Sequence, residues 1–265
     1  MGKVLAVCNR KGGTGKSFST ASLSFALARQ GKKVLCLDTD NQHSLTVIMG
    51  VTEPDELPIT IKTIITDIID EKDIDPTAGI IHHPEGVDLL PANNSLTGIE
   101  LALASVIGRE TILKQYIEKV KPLYNWILVD TSPTLDLLSI NALAAADSVL
   151  VPVMPKFLDA KGLELLLKSI AQLKKFINPH LDIAGILLTM VDKRTNFTKD
   201  IIQMIEQAYG EEIHILKKYI PHSTRAAEAS ATGKSIFSYD PKGKVAAAYD
   251  ALAMDLLAYG GDNLE

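Results

Sequence analysis

The chain has 265 residues, of which 46% are apolar, and this is enough to form the core of one large domain. The formal net charge of −5 excludes a globally basic nucleic-acid-binding protein, so any nucleic-acid contact must come from a local patch. Cys8 and Cys36 lie in separate apolar runs and are expected to be buried, reduced thiols. No apolar stretch of about 18 residues occurs, so we expect no membrane span. The first predicted strand leaves no room for a signal peptide, which predicts a cytoplasmic protein.

Short apolar runs alternate with segments of helical length along the chain, and several of the runs are continuously apolar, as buried parallel strands are. This alternation predicts one doubly wound α/β domain over residues 1–265, with helices on both faces of a mostly parallel sheet. The predicted strands are 4–8, 34–37, 87–90, 126–129, 148–153 and 183–191. The predicted helices are 17–30, 96–105, 110–120, 134–146, 158–176 and 197–209. Residues 52–84 are predicted to form surface helices and loops.

The most informative motif is Lys11-Gly12-Gly13-Thr14-Gly15-Lys16-Ser17, between the first predicted strand and the first predicted helix. Glycines in such a turn let backbone N–H groups converge on phosphate oxygens, and the start of the helix adds partial positive charge. In a phosphate-binding loop Lys16 contacts the β- and γ-phosphates, and the Ser17 hydroxyl binds Mg²⁺. The alternative is a glycine-rich turn without a ligand, which two lysines around three glycines in this context disfavour.

Two further predicted strands end in acidic residues. The first leads into Asp38-Thr39-Asp40, and because side chains alternate along a strand, both carboxylates are predicted to share a face at the carboxyl edge of the sheet. One can support the water shell of Mg²⁺, and the other can orient an attacking water. The alternative is an acidic turn in which Asp40 or Asn41 caps the next helix. Asp130 ends another apolar run, which is the Walker B arrangement that binds Mg²⁺ through water.

The extra lysine at Lys11, with Arg10 where an ordinary phosphate loop has glycine, resembles the deviant Walker A signature of the MinD/ParA ATPases. With the acidic strand ends, the chain resembles the ParA/Soj chromosome- and plasmid-partition ATPases over nearly its whole length. The segments that carry the resemblance are 11–17, 34–42, 126–133, 141–147, 187–196, 220–221 and 238–241. The positions that depart from the family pattern are Phe18, Asn41, Thr131, Ser132 and His222.

The resemblance implies an enzyme that hydrolyses ATP to ADP and phosphate with Mg²⁺, in a dimer that sandwiches the nucleotide. It implies that Lys11, Lys16 and Asp40 are catalytic, with Lys11 reaching across to the nucleotide of the other subunit and Asp40 positioning the hydrolytic water. Ser17, Asp38 and Asp130 would bind or support the metal. The implied nucleotide-binding residues are Lys11, Gly12, Gly13, Thr14, Gly15, Lys16, Ser17, Phe18 and Pro221.

The resemblance also implies non-specific DNA binding through basic residues of the C-terminal half, with a ParB-like partner that stimulates hydrolysis. No helix-turn-helix domain fits before the phosphate loop, so we expect no sequence-specific recognition. The implied DNA-binding residues are Arg194 and Arg225, with Lys193, Lys217 and Lys218 nearby in sequence. Basic residues only slightly outnumber acidic ones in this part of the chain, so an ordinary mixed-charge surface is the alternative. The expected function is segregation of plasmid or chromosomal DNA at the nucleoid.

Other functions use the same type of loop. A membrane-surface ATPase of the MinD type needs a C-terminal amphipathic helix with a basic face, whereas residues 258–265 are acidic and interrupted by glycine. An ATPase that positions a protein assembly would keep the nucleotide site but carry a different cargo. A biosynthetic amide ligase would couple ATP to a small substrate and would be unaffected by DNA. The tail therefore argues against the MinD type, whereas the sequence leaves the other two alternatives open.

Overall fold

The computed structural model describes residues 2–259, and its centre is a seven-stranded sheet. The strands are β1 (Lys3–Val7), β2 (Val34–Asp38), β3 (Ile81–His82), β4 (Val87–Leu90), β5 (Trp126–Asp130), β6 (Ser148–Val153) and β7 (Asp182–Leu188). Their order in the sheet is β3-β4-β2-β5-β1-β6-β7. All neighbouring pairs are parallel except β3 and β4 at one edge, which are antiparallel.

Helices follow most of the strands in the described part of the chain. They are α1 (Lys16–Arg29), α2 (Ser44–Ile48), α3 (Ile61–Ile69), α4 (Ile99–Ala104), α5 (Ile112–Val120), α6 (Leu137–Ala145), α7 (Phe157–Phe176), α8 (Asn196–Tyr209), α9 (Thr224–Ala231), α10 (Ile236–Tyr239) and α11 (Lys244–Tyr259). Short 3-10 turns occur at Pro54–Glu56, Asn94–Leu96, Arg109–Thr111 and Lys121–Leu123. None of the helices within residues 2–259 combines the length and the apolar composition that crossing a membrane requires.

The sheet has an apolar core layer on each face. Because side chains alternate along a strand, Val4 and Ala6 of β1 enter one layer, whereas Leu5 and Val7 enter the other. The first layer packs against α3 to α8, and the second packs against α1, α2 and α9 to α11. This arrangement confirms the predicted doubly wound α/β fold, in which ligands bind at the carboxyl edge of the strands.

The two cysteines lie in opposite core layers, Cys8 in the first and Cys36 in the second. Both are fully buried free thiols, as expected. Burial raises the pKa of Cys8 to about 11 and that of Cys36 to about 12, so neither thiol ionises near neutral pH. Both side chains pack within the core of the sheet.

Several segments differ from the sequence predictions. The strand predicted over 183–191 ends at Leu188, because the chain then turns and Met190 adopts a left-handed backbone conformation with φ of 50°. Within residues 52–84, predicted to form surface helices and loops, α3 also contributes to the core, because its isoleucines Ile61, Ile64 and Ile65 are buried. The helices α9, α10 and α11 were not predicted. Residues 260–265, part of the tail that argues against a MinD-type membrane helix, lie outside the described residues.

Candidate nucleotide-binding site

The predicted phosphate loop joins β1 to α1 at the carboxyl edge of the sheet. Gly13 and Gly15 have φ angles of 74° and 82°, a left-handed conformation that glycine adopts without steric cost. Lys16 is the first residue of α1, so the loop leads directly into a helix N-terminus with its unpaired backbone N–H groups. The local sequence therefore forms the strand–turn–helix geometry that favours a bound phosphate chain.

Side chains from distant parts of the sequence hold this loop in place. The amide nitrogen of Asn9 donates to the carbonyl of Pro152 at 2.6 Å, and its amide oxygen accepts from the backbone N–H of Lys11 at 3.1 Å. The hydroxyl of Thr189 donates to the carbonyl of Thr14 at 2.8 Å. These bonds fix the loop to the ends of β6 and β7, so it is rigid before any ligand arrives.

The two lysines of the motif point in different directions. The Lys16 ammonium is largely buried, with 6% of the residue exposed, and donates to the carbonyl of Lys11 at 3.2 Å. It therefore folds back over the loop. The Lys11 ammonium instead forms an ion pair with Asp159 in the first turn of α7. Lys11 contacts a partner outside the loop, whereas Lys16 belongs to the loop itself.

Asp38 lies at the end of β2, but its carboxylate is largely engaged in local structure. One oxygen accepts from the Thr46 backbone N–H at 2.8 Å and from the Thr46 hydroxyl at 2.7 Å. The other accepts from the backbone N–H of Asp40 at 3.1 Å. Burial raises the pKa of Asp38 to about 6, although these hydrogen bonds act in the opposite direction. Asp38 thus shapes the turn that follows β2.

Asp130 has the properties expected of a carboxylate beside a metal. One oxygen accepts from the Thr20 hydroxyl at 3.2 Å, and the other is buried without a hydrogen-bond partner among the described residues. Burial, followed by the neighbouring charge of Asp38, raises the pKa of Asp130 well above its usual range, and the nearby Ser17 hydroxyl opposes this shift. An unpartnered carboxylate oxygen beside a phosphate-loop hydroxyl fits a hydrated Mg²⁺ ion. Within residues 2–259 no three acidic, histidine or cysteine side chains gather closely enough to hold a metal ion by themselves, at this site or elsewhere.

Asp40 closes a turn at the same edge of the sheet. Its carboxylate accepts from the backbone N–H of Gln42 at 3.0 Å, and its carbonyl accepts from the N–H of His43 at 2.9 Å. The alternative that Asp40 or Asn41 caps the next helix is wrong, because His43 occupies the N-cap of α2. Asp40 is nearly buried beside Asp38.

A cavity of about 210 Å³ opens beside the loop and is lined mainly by apolar groups. Phe18 and Pro221, both predicted to bind nucleotide, lie in its wall together with Met190 and Tyr249. The Phe18 ring packs edge-on against Tyr249 at 5.8 Å, and the Tyr249 hydroxyl is 2.8 Å from that of Ser19. An apolar cavity next to a phosphate loop can accept a flat aromatic base.

The predicted DNA-binding arginines, Arg194 and Arg225, lie in neighbouring segments. Each follows closely after one member of the parallel bridge between Val191 and Pro221. Arg194 is largely engaged by Asp192, with guanidinium-to-carboxylate distances of 2.6 and 2.8 Å. The guanidinium of Arg225 lies 3.6 Å from the carboxylate of Glu228. Each arginine is exposed, yet each already has an acidic neighbour.

The predicted DNA-binding lysines, unlike the arginines, form no ion pair with a carboxylate among the described residues. The ammonium of Lys193 lies 4.1 Å from the centre of the Tyr219 ring, and Lys193 and Lys217 line one cavity of about 290 Å³. Lys218 is also exposed. Within residues 2–259 none of these three lysines has a carboxylate at ion-pair distance.

Comparisons with known proteins agree with this geometry. Residues 2–183 match a family model described as an AAA domain. The sporulation initiation inhibitor protein Soj of Bacillus subtilis is 37% identical over 98% of this chain and 100% of its own length. The chromosome partitioning protein ParA of Caulobacter vibrioides is 30% identical over 97% of this chain and 94% of its own. The chain belongs to the ParA/Soj family of P-loop ATPases.

A solved structure extends the comparison of this ParA/Soj-family chain. Cobyrinic acid a,c-diamide synthase from Mycobacterium smegmatis, with bound ADP and magnesium, is 33% identical and has a TM-score of 0.85. The match covers 98% of this chain and 96% of that one. The predicted fold and family are thus confirmed, while proteins of the same fold carry different functional names.

Sequence analysis did not identify three residues that pack around this site. Thr20, which bonds to Asp130, lies one helical turn after Lys16, and that spacing could have identified it. Met190 places its terminal methyl 3.5 Å from where a side chain on Gly15 would begin. Asp159 is 148 residues from its partner Lys11, so no local pattern could indicate the contact.

Proposed function

We propose that this protein is a Mg²⁺-dependent ATPase whose ATP-bound form is a dimer that binds DNA without sequence preference. The observation that carries the proposal is the tethered loop, in which Lys16 lies over the backbone near the unpartnered oxygen of Asp130. Binding of ADP and magnesium by a neighbour of the same fold at 33% identity supports the choice of ligand.

The loop residues divide the work of binding ATP. Backbone N–H groups of 11–17 would surround the phosphates, and the Lys16 ammonium would offset charge on the β- and γ-phosphates. Ser17 and Asp130, the latter through water, would hold Mg²⁺, which neutralises phosphate charge when bound. The base would enter the cavity beside Phe18 and Pro221. Asp38 would support Asp130 from the adjacent strand rather than contact the ion.

Asp40 is the residue best suited to orient water for hydrolysis. It lies at the carboxyl edge, and its side chain is nearly buried, so its carboxylate is held in one place. Water attacks the γ-phosphorus, and the bond from that phosphorus to the β–γ bridging oxygen breaks. ADP keeps the bridging oxygen, the phosphate keeps the added hydroxyl, and the second proton of the water passes to solvent. A carboxylate that holds this water acts at the chemical step rather than in binding.

Dimerisation is supported by the surface around Lys11. The exposed apolar side chains Phe157, Leu158 and Phe197 line a groove of about 520 Å³ together with Lys11. An apolar patch of this kind at the mouth of a polar site is typical of a surface that a partner covers. In the proposed dimer a second copy covers the patch, and Lys11 reaches the nucleotide of that copy.

DNA binding would follow from dimerisation. The lysines Lys193, Lys217 and Lys218 give each subunit a modest positive surface, and two subunits double the number of phosphate contacts. A ParB-like partner would stimulate hydrolysis and release the complex from DNA, which would associate the protein with the nucleoid. The names of the relatives from Bacillus subtilis and Caulobacter vibrioides, Soj and chromosome partitioning protein ParA, support a role in DNA partition.

An amide synthase is the second candidate, because the M. smegmatis structure bears that name at a comparable identity. ATP turnover distinguishes the two functions when it is measured with duplex DNA and, separately, with cobyrinic acid and a nitrogen donor. The partition function predicts slow turnover that cobyrinic acid does not change. Turnover that depends on cobyrinic acid and ignores DNA would favour the synthase instead.

A further inference from the structure

The ammonium of Lys11 and the carboxylate of Asp159 form an ion pair between the phosphate loop and α7. Lys11 is the residue that distinguishes this loop from an ordinary one, and 42% of its side chain is exposed. The Asp159 side chain is fully buried. The pair therefore joins a movable cation at the surface to a fixed anion beneath it.

The environment of Asp159 is unfavourable for a charge without a partner. Its second carboxylate oxygen is buried and has no hydrogen-bond partner among the described residues. A buried ion pair that loses one member leaves the other uncompensated, and this costs more than the loss of an exposed pair. Lys11 is the only cation with which the described residues pair Asp159. Release of Lys11 is thus opposed by the burial of Asp159.

We propose that Asp159 is a positioning residue that holds Lys11 within its own subunit and so opposes closure of the dimer. This inference rests on the proposed function, in which Lys11 must reach the nucleotide of the second copy. In the proposed dimer the Lys11 ammonium leaves the Asp159 carboxylate of its own subunit to contact a phosphate of the second copy. Each subunit must therefore break this ion pair before the dimer closes, and the pair raises the ATP concentration that dimerisation requires.

The position of Asp159 extends this effect to the neighbouring surface. It follows directly after Phe157 and Leu158, which line the apolar groove beside Lys11 and are 55% and 68% exposed. When Lys11 leaves, the first turn of α7 must rearrange to hydrate or re-pair the carboxylate, and the two apolar side chains move with it. The ion pair thus couples the state of Lys11 to the surface that a second copy covers.

The test compares Asp159→Asn with a control on the same helix. Asparagine keeps the size of the side chain but removes the charge that holds Lys11. Glu164→Gln also removes an acid from α7 that pairs with a lysine, since Glu164 contacts Lys168 at 2.6 Å, but this pair is exposed and far from the loop in sequence. Asp159→Ser is a second charge-removing variant in case Asp159→Asn folds poorly, and thermal melting checks the folding of each.

Two quantities are measured with a non-hydrolysable ATP analogue and Mg²⁺. Sedimentation gives the dimer dissociation constant, and fluorescence titration at low protein concentration gives the affinity of the monomer for nucleotide. Release of one charge-assisted hydrogen bond favours closure about tenfold per subunit, so Asp159→Asn should tighten the dimer about a hundredfold. Monomer affinity should stay within about twofold, and Glu164→Gln should change neither quantity by more than about twofold.

The outcomes separate this inference from the function on which it rests. If wild-type protein forms no ATP-dependent dimer, the proposed function fails. If wild type dimerises and the folded Asp159→Asn and Asp159→Ser variants dimerise equally well or less well, the proposed role of Asp159 is wrong. A purely structural role would lower the melting temperature and weaken nucleotide binding and dimerisation together, whereas a positioning role changes dimerisation alone.

Discussion

Asp38 and Asp130 are paired neighbours on the parallel strands β2 and β5, and both carboxylates are fully buried. Burial raises the pKa of both carboxyls, and the charge of Asp38 raises that of Asp130 further, because two negative charges in one buried site oppose each other's ionisation. Such a pair lowers the stability of the ligand-free protein and makes the site attractive to a cation. The fold is therefore locally destabilised at the place where the proposed Mg²⁺ would bind.

Replacement of one acid in this pair should stabilise the nucleotide-free protein. The native pKa of Asp38 is about 6 against an ordinary 3.8, and that of Asp130 is also raised. The native state thus binds protons more tightly than the unfolded chain. Stability therefore falls as the pH rises from the ordinary pKa of 3.8 through the raised native pKa values. We expect Asp130→Asn to raise the free energy of unfolding by roughly 1–2 kcal/mol at neutral pH and to make that free energy less dependent on pH. Thermal unfolding across pH measures both effects.

The control for this variant is Asp73→Asn, which removes a fully exposed carboxylate. It should leave both the melting temperature and its pH dependence unchanged. A loss of stability in Asp130→Asn at neutral pH would contradict the account of the buried pair. Addition of Mg²⁺ and ATP should stabilise wild type but have a smaller effect on Asp130→Asn.

Lys16 should be essential for nucleotide binding. Its buried ammonium lies over the loop and would offset phosphate charge that backbone groups alone do not neutralise. Lys16→Gln should weaken binding of a fluorescent ATP analogue about 100-fold. Lys114→Ala, an exposed lysine on α5, should bind as wild type does. Equal affinity in Lys16→Gln would rule out the phosphate-binding role of the loop.

Asp40 should affect hydrolysis more than binding. A carboxylate that orients water acts in the transition state, so its removal lowers kcat rather than affinity. Asp40→Ala should bind ATP normally, hydrolyse it about 10²- to 10⁴-fold more slowly and accumulate as a dimer. The exposed neighbour Asn41 supplies the control Asn41→Ala. Hydrolysis by Asp40→Ala at the wild-type rate would exclude this role.

The lysines of the DNA surface should contribute more than Arg194. Asp192 already compensates the guanidinium of Arg194, whereas Lys193 and Lys217 have no acidic partner in the described structure. Lys217→Ala should lower the slope of log affinity against log salt by about 0.9 for each lost contact, hence by roughly twice that in a dimer. Arg194→Ala should have a smaller effect. The reverse order would locate the DNA surface at the arginines.

Much of the site could be predicted because its signals are local. Lys11–Ser17 is a continuous motif, and Asp38 and Asp130 each end a continuous apolar run, so their common edge follows from the fold. The engagement of Asp38 by Thr46 could not be predicted, because it depends on how a short helix returns to the strand. Asp159 could not be predicted either, because its proposed role depends on its burial and on contact with Lys11, which lies in a distant part of the chain.

The most direct test of the central claim is DNA binding by the wild-type protein in three nucleotide states. Fluorescence anisotropy with two labelled duplexes of unrelated sequence is measured with Mg²⁺ and a non-hydrolysable ATP analogue, with Mg²⁺ and ADP, and without nucleotide. We predict equal binding of both duplexes in the ATP-like state, steep weakening by salt, and little binding in the other two states. Binding that ignores the nucleotide, or no binding in the ATP-like state at low salt, would contradict the account.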